Sequence, residues 1–118
     1  MSIERLHPGP RMSQVVVHDN TVYLAGQVAS GAPGASVAEQ AKDILARIDA
    51  LLSEAGTDKT RLLTATIWLV DMASFSEMNA VWETWIAPGA PPARATVASP
   101  QLASPDYNIE VAVTAARR

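Results

Sequence analysis

The clearest signal along the chain is a helical stripe. Val37, Ala41, Ile44, Leu45, Ile48, Leu51, Leu52 and Ala55 recur at helical spacing, while Glu39, Lys42, Asp43, Arg47, Asp49 and Glu54 fill the wetter positions between them. Ser36-Val37-Ala38-Glu39 reads as a capping box that starts this helix, and Gly56 as the left-handed residue that ends it. A second stripe, Phe75, Met78, Trp82, Trp85 and Ile86, follows Ser74-Phe75-Ser76-Glu77, which also reads as a capping box. Pro88-Gly89 breaks that helix. Aromatic residues at this spacing are expected in a core. Asn79 is the odd polar residue among them, either a satisfied contact at the edge of the core or a group facing a pocket.

The remaining apolar runs have the period of strands. Val15-Val16-Val17 and Thr21-Val22-Tyr23-Leu24-Ala25-Gly26 flank Asp19-Asn20, and the three together predict a hairpin. Leu62 to Val70 is apolar on both alternating faces, as in a strand covered on two sides, with Trp68 in the core or at a subunit contact. Arg94 to Ala98 and Tyr107 to Ala115 predict two more strands. In the last, Ile109, Val111 and Val113 face one way and Asn108, Glu110, Ala112 and Thr114 the other. Residues 1–12, with Pro8, Gly9 and Pro10, read as an irregular lead-in, and residues 30–35 as a loop.

The predicted order is β-β-α-β-α-β-β, an α+β domain over residues 1–118 with a mixed sheet and both helices on one face. The other face would then be bare, and a large bare apolar face is uncommon in a monomer. Self-association is expected on that ground.

Composition narrows the chemistry. The chain has 118 residues, 48% of them hydrophobic and 18% charged, which suits a folded globule with one core. Its formal charge of −3 is small and of the wrong sign for a dedicated nucleic-acid binder. With no cysteine, thiolate metal sites and a cysteine nucleophile are excluded. The two histidines, His7 and His18, lack ligand-like spacing. No metal or cofactor is expected. The glycines match no phosphate-binding fingerprint. Neither a signal-peptide start nor a membrane span is visible, so a soluble cytoplasmic protein is expected.

One stretch stands out for its chemistry. Pro91-Pro92-Ala93-Arg94 brings a guanidinium to the mouth of a strand on a stiff approach. An arginine there is either a surface residue on an edge strand or a fork that grips a carboxylate through two hydrogen bonds. On local grounds the surface reading comes first. If the strands of Arg94 and Glu110 are neighbours, the two side chains would lie on one polar face.

The element order, with Tyr23-Leu24-Ala25-Gly26-Gln27, Met78-Asn79-Ala80-Val81-Trp82, Pro92-Ala93-Arg94 and Ile109-Glu110-Val111, resembles the RidA/YjgF family over nearly the whole chain. These are enamine/imine deaminases, known also under the endoribonuclease L-PSP name. The stretch Arg11-Met12-Ser13-Gln14 and the segment from Trp82 to Trp85 resemble the YoaB-like branch most. The resemblance implies a chorismate-mutase-like fold and a homotrimer with clefts between subunits. It implies that Arg94 binds the carboxylate of a small substrate, that Glu110 holds or activates water, and that Gly26 shapes the pocket. Asn79 and Thr96 join the candidate substrate-binding residues. Three positions depart from the deaminating members: Arg11 stands where tyrosine is common, Ala25 where serine is, and Thr96 where cysteine is. The implied activity is hydrolysis of 2-imino acids to 2-keto acids and ammonia. The alternative is a non-catalytic carboxylate-binding or chaperone-like oligomer. A ribonuclease ranks last, because no histidine pair is available and few aromatics are free to stack on bases.

Overall fold

The hairpin expected around Asp19-Asn20 forms as β2 (Ser13–His18) and β3 (Thr21–Leu24), paired antiparallel with His18 opposite Thr21. Asp19 takes a left-handed φ of 54°, which a short polar side chain tolerates at a tight turn. Val15, Val17, Val22 and Leu24 are buried, so alternation sets which face is the core. The structure, a computed structural model, describes residues 2–118.

The lead-in is not irregular. Met1 lies outside the described residues, but Ile3–Pro8 form a strand, β1, that pairs antiparallel with β2. The prolines and glycine read as loop signals occupy only its end and the turn after it, where the Gly9 N–H donates to the Met12 carbonyl at 2.7 Å. Proline at the end of an edge strand costs no ladder bond.

After the short β4 (Gln27–Val28) comes α1 (Val37–Glu54), with the expected stripe buried and Ser36 Oγ accepting from the Glu39 N–H at 3.2 Å. The reciprocal half of the capping box is absent: the Glu39 carboxylate lies 3.4 Å from Lys42 Nζ instead. Gly56, at φ 82°, ends the helix as expected. β5 (Leu62–Leu69) and β6 (Ala93–Ala98) run parallel on either side of α2 (Phe75–Trp85) in the chain, and β7 (Ile109–Ala116) returns antiparallel. The sheet order is β1-β2-β3-β7-β5-β6, with β4 also on β7. The last strand therefore inserts between β3 and β5.

Two expectations for the second helix fail. Ser74 makes no side-chain cap bond. Asp71 instead caps a single 3-10 turn, Met72–Ser74, that leads into the helix. Glu77 is used elsewhere: its Oε2 accepts from the Ala38 N–H at 2.8 Å, so a residue of α2 satisfies a free donor at the start of α1. Phe75, expected in the core, is 39% exposed.

Both helices pack on one face of the sheet. Ile44, Ile48 and Leu52 of α1 and Met78 and Trp82 of α2 join Ile67, Leu69, Ile109, Val111 and Val113 in one apolar cluster. Burying each such side chain stabilises the fold by about 1.5–3 kcal/mol. Gln40 is fully buried in the first turns of α1. Its Nε2 donates to the carbonyls of Ala35 and Asp106, and its Oε1 accepts from the Asn108 N–H at 2.9 Å. This side chain ties the connection before β7 to α1.

The second face carries no helix. It holds Tyr23, Thr64, Thr66, Trp68, Val97, Glu110, Ala112 and Thr114, with Tyr23 and Val97 more than two-fifths exposed. β5 is thus covered on one side only, and Trp68 lies outside the helix-side core. Among the described residues no helix is long and apolar enough to cross a membrane.

Candidate functional site

Arg94 is placed by register. It pairs with Ala65 on β5, which in turn pairs with Val113 on β7. Both partners are buried beneath the helices, so Arg94 also points to the helix face. There α2 supplies its surroundings. Asn79 Oδ1 accepts from Arg94 Nη1 at 2.8 Å. The guanidinium carbon lies 5.5 Å from the centre of the Trp82 ring and 5.8 Å from that of Phe75. Phe75, Asn79 and Trp82 are four and three residues apart, so one face of α2 presents all three. A guanidinium over aromatic faces is attracted by their quadrupoles. Arg94 is half-buried, and among the described residues no carboxylate pairs with it. The result is an oriented cation whose remaining donors have no acceptor among the described residues.

Thr96 lies two residues further along the same side of β6, opposite Ile67. Its Oγ1 is buried and has no hydrogen-bond partner among the described residues. An unmet buried hydroxyl costs about 1–3 kcal/mol.

Glu110 is on the other face. It pairs with Trp68 on β5 and Val28 on β4, one step out of phase with the buried Val111. Arg94 and Glu110 therefore do not share a polar face, as the sequence suggested they would if their strands were neighbours. β5 lies between β6 and β7, and the phase of the alternation sends the two side chains to opposite sides. Burial raises the pKa of the Glu110 carboxyl from its ordinary value.

Gly26 joins Glu110. A Cβ placed on Gly26 would lie 2.1 Å from Glu110 Oε2, so a larger residue there would push the carboxylate out of this position. Gly26 also lines a cavity of about 590 Å³ with Met12, Gln14, Val28 and Arg47. Ala25 is beside it and donates its N–H to the Gln14 carbonyl at 2.9 Å. Arg11 is exposed in the turn between β1 and β2.

The five candidate residues thus form two half-sites. Arg94, Asn79 and Thr96 belong to the helix face, and Glu110 and Gly26 to the open face. Sequence reasoning missed the aromatic shelf under Arg94, because Phe75 and Trp82 read as core. Their spacing from Asn79 on α2 was the available signal. It also missed Gln40, a polar residue at a stripe position. No group of three or more His, Asp or Glu side chains among the described residues is arranged to hold a metal ion.

This fold and these half-sites define a class: small α+β proteins with two helices on one face of a mixed sheet and a half-buried arginine, held by an asparagine, on an edge strand. The family described as Endoribonuclease L-PSP matches residues 2–117. The chain belongs to this family, the RidA/YjgF proteins. It is 39% identical over 116 residues to the RutC family protein YoaB of Escherichia coli, covering 98% of this chain and 99% of that one. A crystal structure of NMB1025, a YjgF family member from Neisseria meningitidis, superposes with a TM-score of 0.95 at 42% identity, covering 100% of this chain and 97% of that one. The 2-iminobutanoate/2-iminopropanoate deaminase of Bos taurus is 42% identical over 85 residues, which span 67% of this chain and 61% of that protein.

Proposed function

We propose that this protein hydrolyses 2-imino acids, or their 2-aminoalkenoic tautomers, to 2-keto acids and ammonia. The carrying observation is the half-buried Arg94 guanidinium, oriented by Asn79 and left without a carboxylate among the described residues. A substrate carboxylate completes it. Water adds across the C=N bond, its oxygen to carbon and a proton to nitrogen. The resulting carbinolamine then loses ammonia as the carbonyl forms. Such imines already hydrolyse in water, so orientation and modest charge stabilisation are sufficient catalysis. The name of the bovine relative supports this reading.

Glu110 takes the proton from the attacking water in this scheme. Its raised proton affinity suits a base better than that of a free surface carboxylate. Because Arg94 and Glu110 lie on opposite faces, the proposal has them meet across a subunit boundary: Arg94 from one protomer, Glu110 and Gly26 from its neighbour. A homotrimer that covers the open faces is part of the proposal, as is a cytoplasmic setting.

A second reading is a carboxylate-binding oligomer without catalysis. It is favoured by the changed positions Arg11, Ala25 and Thr96, the last with its hydroxyl buried within the chain.

The test is keto-acid release from an imine generated in situ by an amino-acid oxidase. Arg94→Ala should fall to the rate in free solution, a loss of about 2–5 kcal/mol of interaction. Arg94→Lys should rescue poorly, because a point charge cannot reproduce the fork. Unchanged release in Arg94→Ala contradicts the assignment. A melting shift with 2-keto acids, without rate enhancement, selects the binder.

A further inference from the structure

Two rows of side chains run along α2, and each faces a different partner. Phe75, Asn79 and Trp82 form the row against Arg94. Glu77, Val81 and Trp85, each four residues from the next, form a row against α1. In the middle of that row the contact is apolar, where Val81 shares a groove with Leu45 and Ala46. On either side of Val81 it is a hydrogen bond. Glu77 Oε2 accepts from the Ala38 N–H at 2.8 Å, and Trp85 Nε1–H donates to Asp49 Oδ2 at 2.9 Å. Ala38 and Asp49 are about 16 Å apart along α1, and Glu77 and Trp85 about 12 Å apart along α2. The two bonds therefore clasp α2 to α1 at two well-separated points.

α2 has little of its own to fix its position. It has 11 residues, and Ser74 gives it no side-chain cap. A helix this short is marginal by itself and depends on what it packs against. Apolar packing is non-directional and permits small slips along a neighbouring helix. A slip of one residue is about 1.5 Å. The bond from Arg94 Nη1 to Asn79 Oδ1, 2.8 Å long, does not survive such a slip, since a side-chain hydrogen bond is gone by about 3.6 Å. Directional bonds at two points remove that freedom. The Glu77 carboxylate is further favoured by the positive end of the α1 macrodipole. Trp85 also reaches Arg94 through a second side chain. Its ring packs on Trp82 with centroids 5.4 Å apart, and Trp82 is the ring whose centre lies 5.5 Å from the guanidinium carbon.

We infer that Glu77 and Trp85, the latter through its acceptor Asp49, are positioning residues for Arg94. They fix α2 along α1 and so hold Asn79 and Trp82 against the guanidinium that receives the substrate carboxylate. The kinetic consequence rests on the deaminase reading, while the effect on the guanidinium itself does not. Asp49 is exposed on α1 and makes no recorded bond to Arg94. A change there is nonetheless felt at the edge strand β6, two side chains away.

The experiment compares Glu77→Ala and Asp49→Ala with Glu77→Gln and Asp49→Asn, whose amide oxygens still accept. Glu77 and Asp49 are exposed, so the alanine variants keep the core intact. One readout is KM and kcat for an imine generated in situ from alanine by an amino-acid oxidase. The other is nitrogen NMR of the Arg94 guanidinium, assigned by its loss in Arg94→Lys, in which rotation about the Nε–Cζ bond is slow while Nη1 is held. The alanine variants should raise KM about three- to tenfold with kcat within about twofold, and should quicken that rotation about threefold or more. The glutamine and asparagine variants should stay within about twofold of wild type in both. Alanine variants that melt lower yet keep the wild-type KM and the wild-type Arg94 signal overturn the inference, because the two bonds then only stabilise the fold. Amide variants as impaired as the alanine ones overturn it as well. If wild type accelerates no imine, the deaminase reading fails separately and the NMR decides. Faster rotation in the alanine variants, restored by glutamine and asparagine, keeps the inference, and unchanged rotation removes it.

Discussion

The two faces of the sheet treat their charged residue differently. On the helix face, Arg94 is surrounded by specific partners: Asn79 fixes one nitrogen, and the guanidinium carbon lies within 6 Å of two ring centres. On the open face, Glu110 is shaped mainly by space. Gly26 leaves room for it, and partial burial raises its proton affinity. The first arrangement prepares a cation for an anion. The second holds a carboxylate for which no partner stands among the described residues. In the proposed reaction each face supplies one half of the centre, and alternation along β6 and β7 keeps the halves apart within one protomer.

The contrast is sharpest in stability. Ile67 and Thr66 are adjacent on β5, one buried under the helices and one on the open face. Ile67→Ala should cost about 2–5 kcal/mol in denaturant unfolding, through lost burial and the cavity left behind. Thr66→Ala should cost less than about 1 kcal/mol at concentrations where the protein is monomeric. Comparable losses at the two positions would mean that the open face is already covered.

A smaller effect concerns pH. The folded-state pKa of Glu110 is raised, so the unfolded chain gives up this proton more readily than the folded one. Both forms are protonated well below the carboxylate range, and there Glu110 has no effect on stability. As pH rises through that range, ionisation favours the unfolded state. Glu110→Gln should therefore melt slightly above wild type at neutral pH, and the difference should close under acid. A lower Tm for Glu110→Gln at neutral pH would show a carboxylate stabilised by a partner instead.

Much of the fold could be read from periodicity. The α1 stripe, its serine cap and its terminal glycine all hold, because each is a local signal. The errors arise where a distant segment decides. Ile3–Pro8 became a strand because β2 offered a free edge, which no local feature of a proline-containing stretch announces. Glu77 had the spacing of a capping residue, yet the start of α1 took it. The candidate residues could be singled out in the sequence, but not their arrangement. Arg94 stood out by its lead-in and Glu110 by resemblance. Their separation depends on the register of β6 and β7 on β5, which puts Arg94 in phase with Ala65 and Glu110 with Trp68, and register is a tertiary fact. Phe75 read as core because an aromatic stripe normally is, while here its ring lies beside the Arg94 guanidinium.

The central claim is that catalysis needs Arg94 of one protomer and Glu110 of another. Arg94→Ala and Glu110→Gln should each be inactive alone. Co-refolded in equal amounts, they should regain imine hydrolysis, with about one site in four carrying both native groups if assembly is random. Recovery in the mixture supports a shared centre. A mixture as inactive as its components, with mixed oligomers verified by mass, would contradict it.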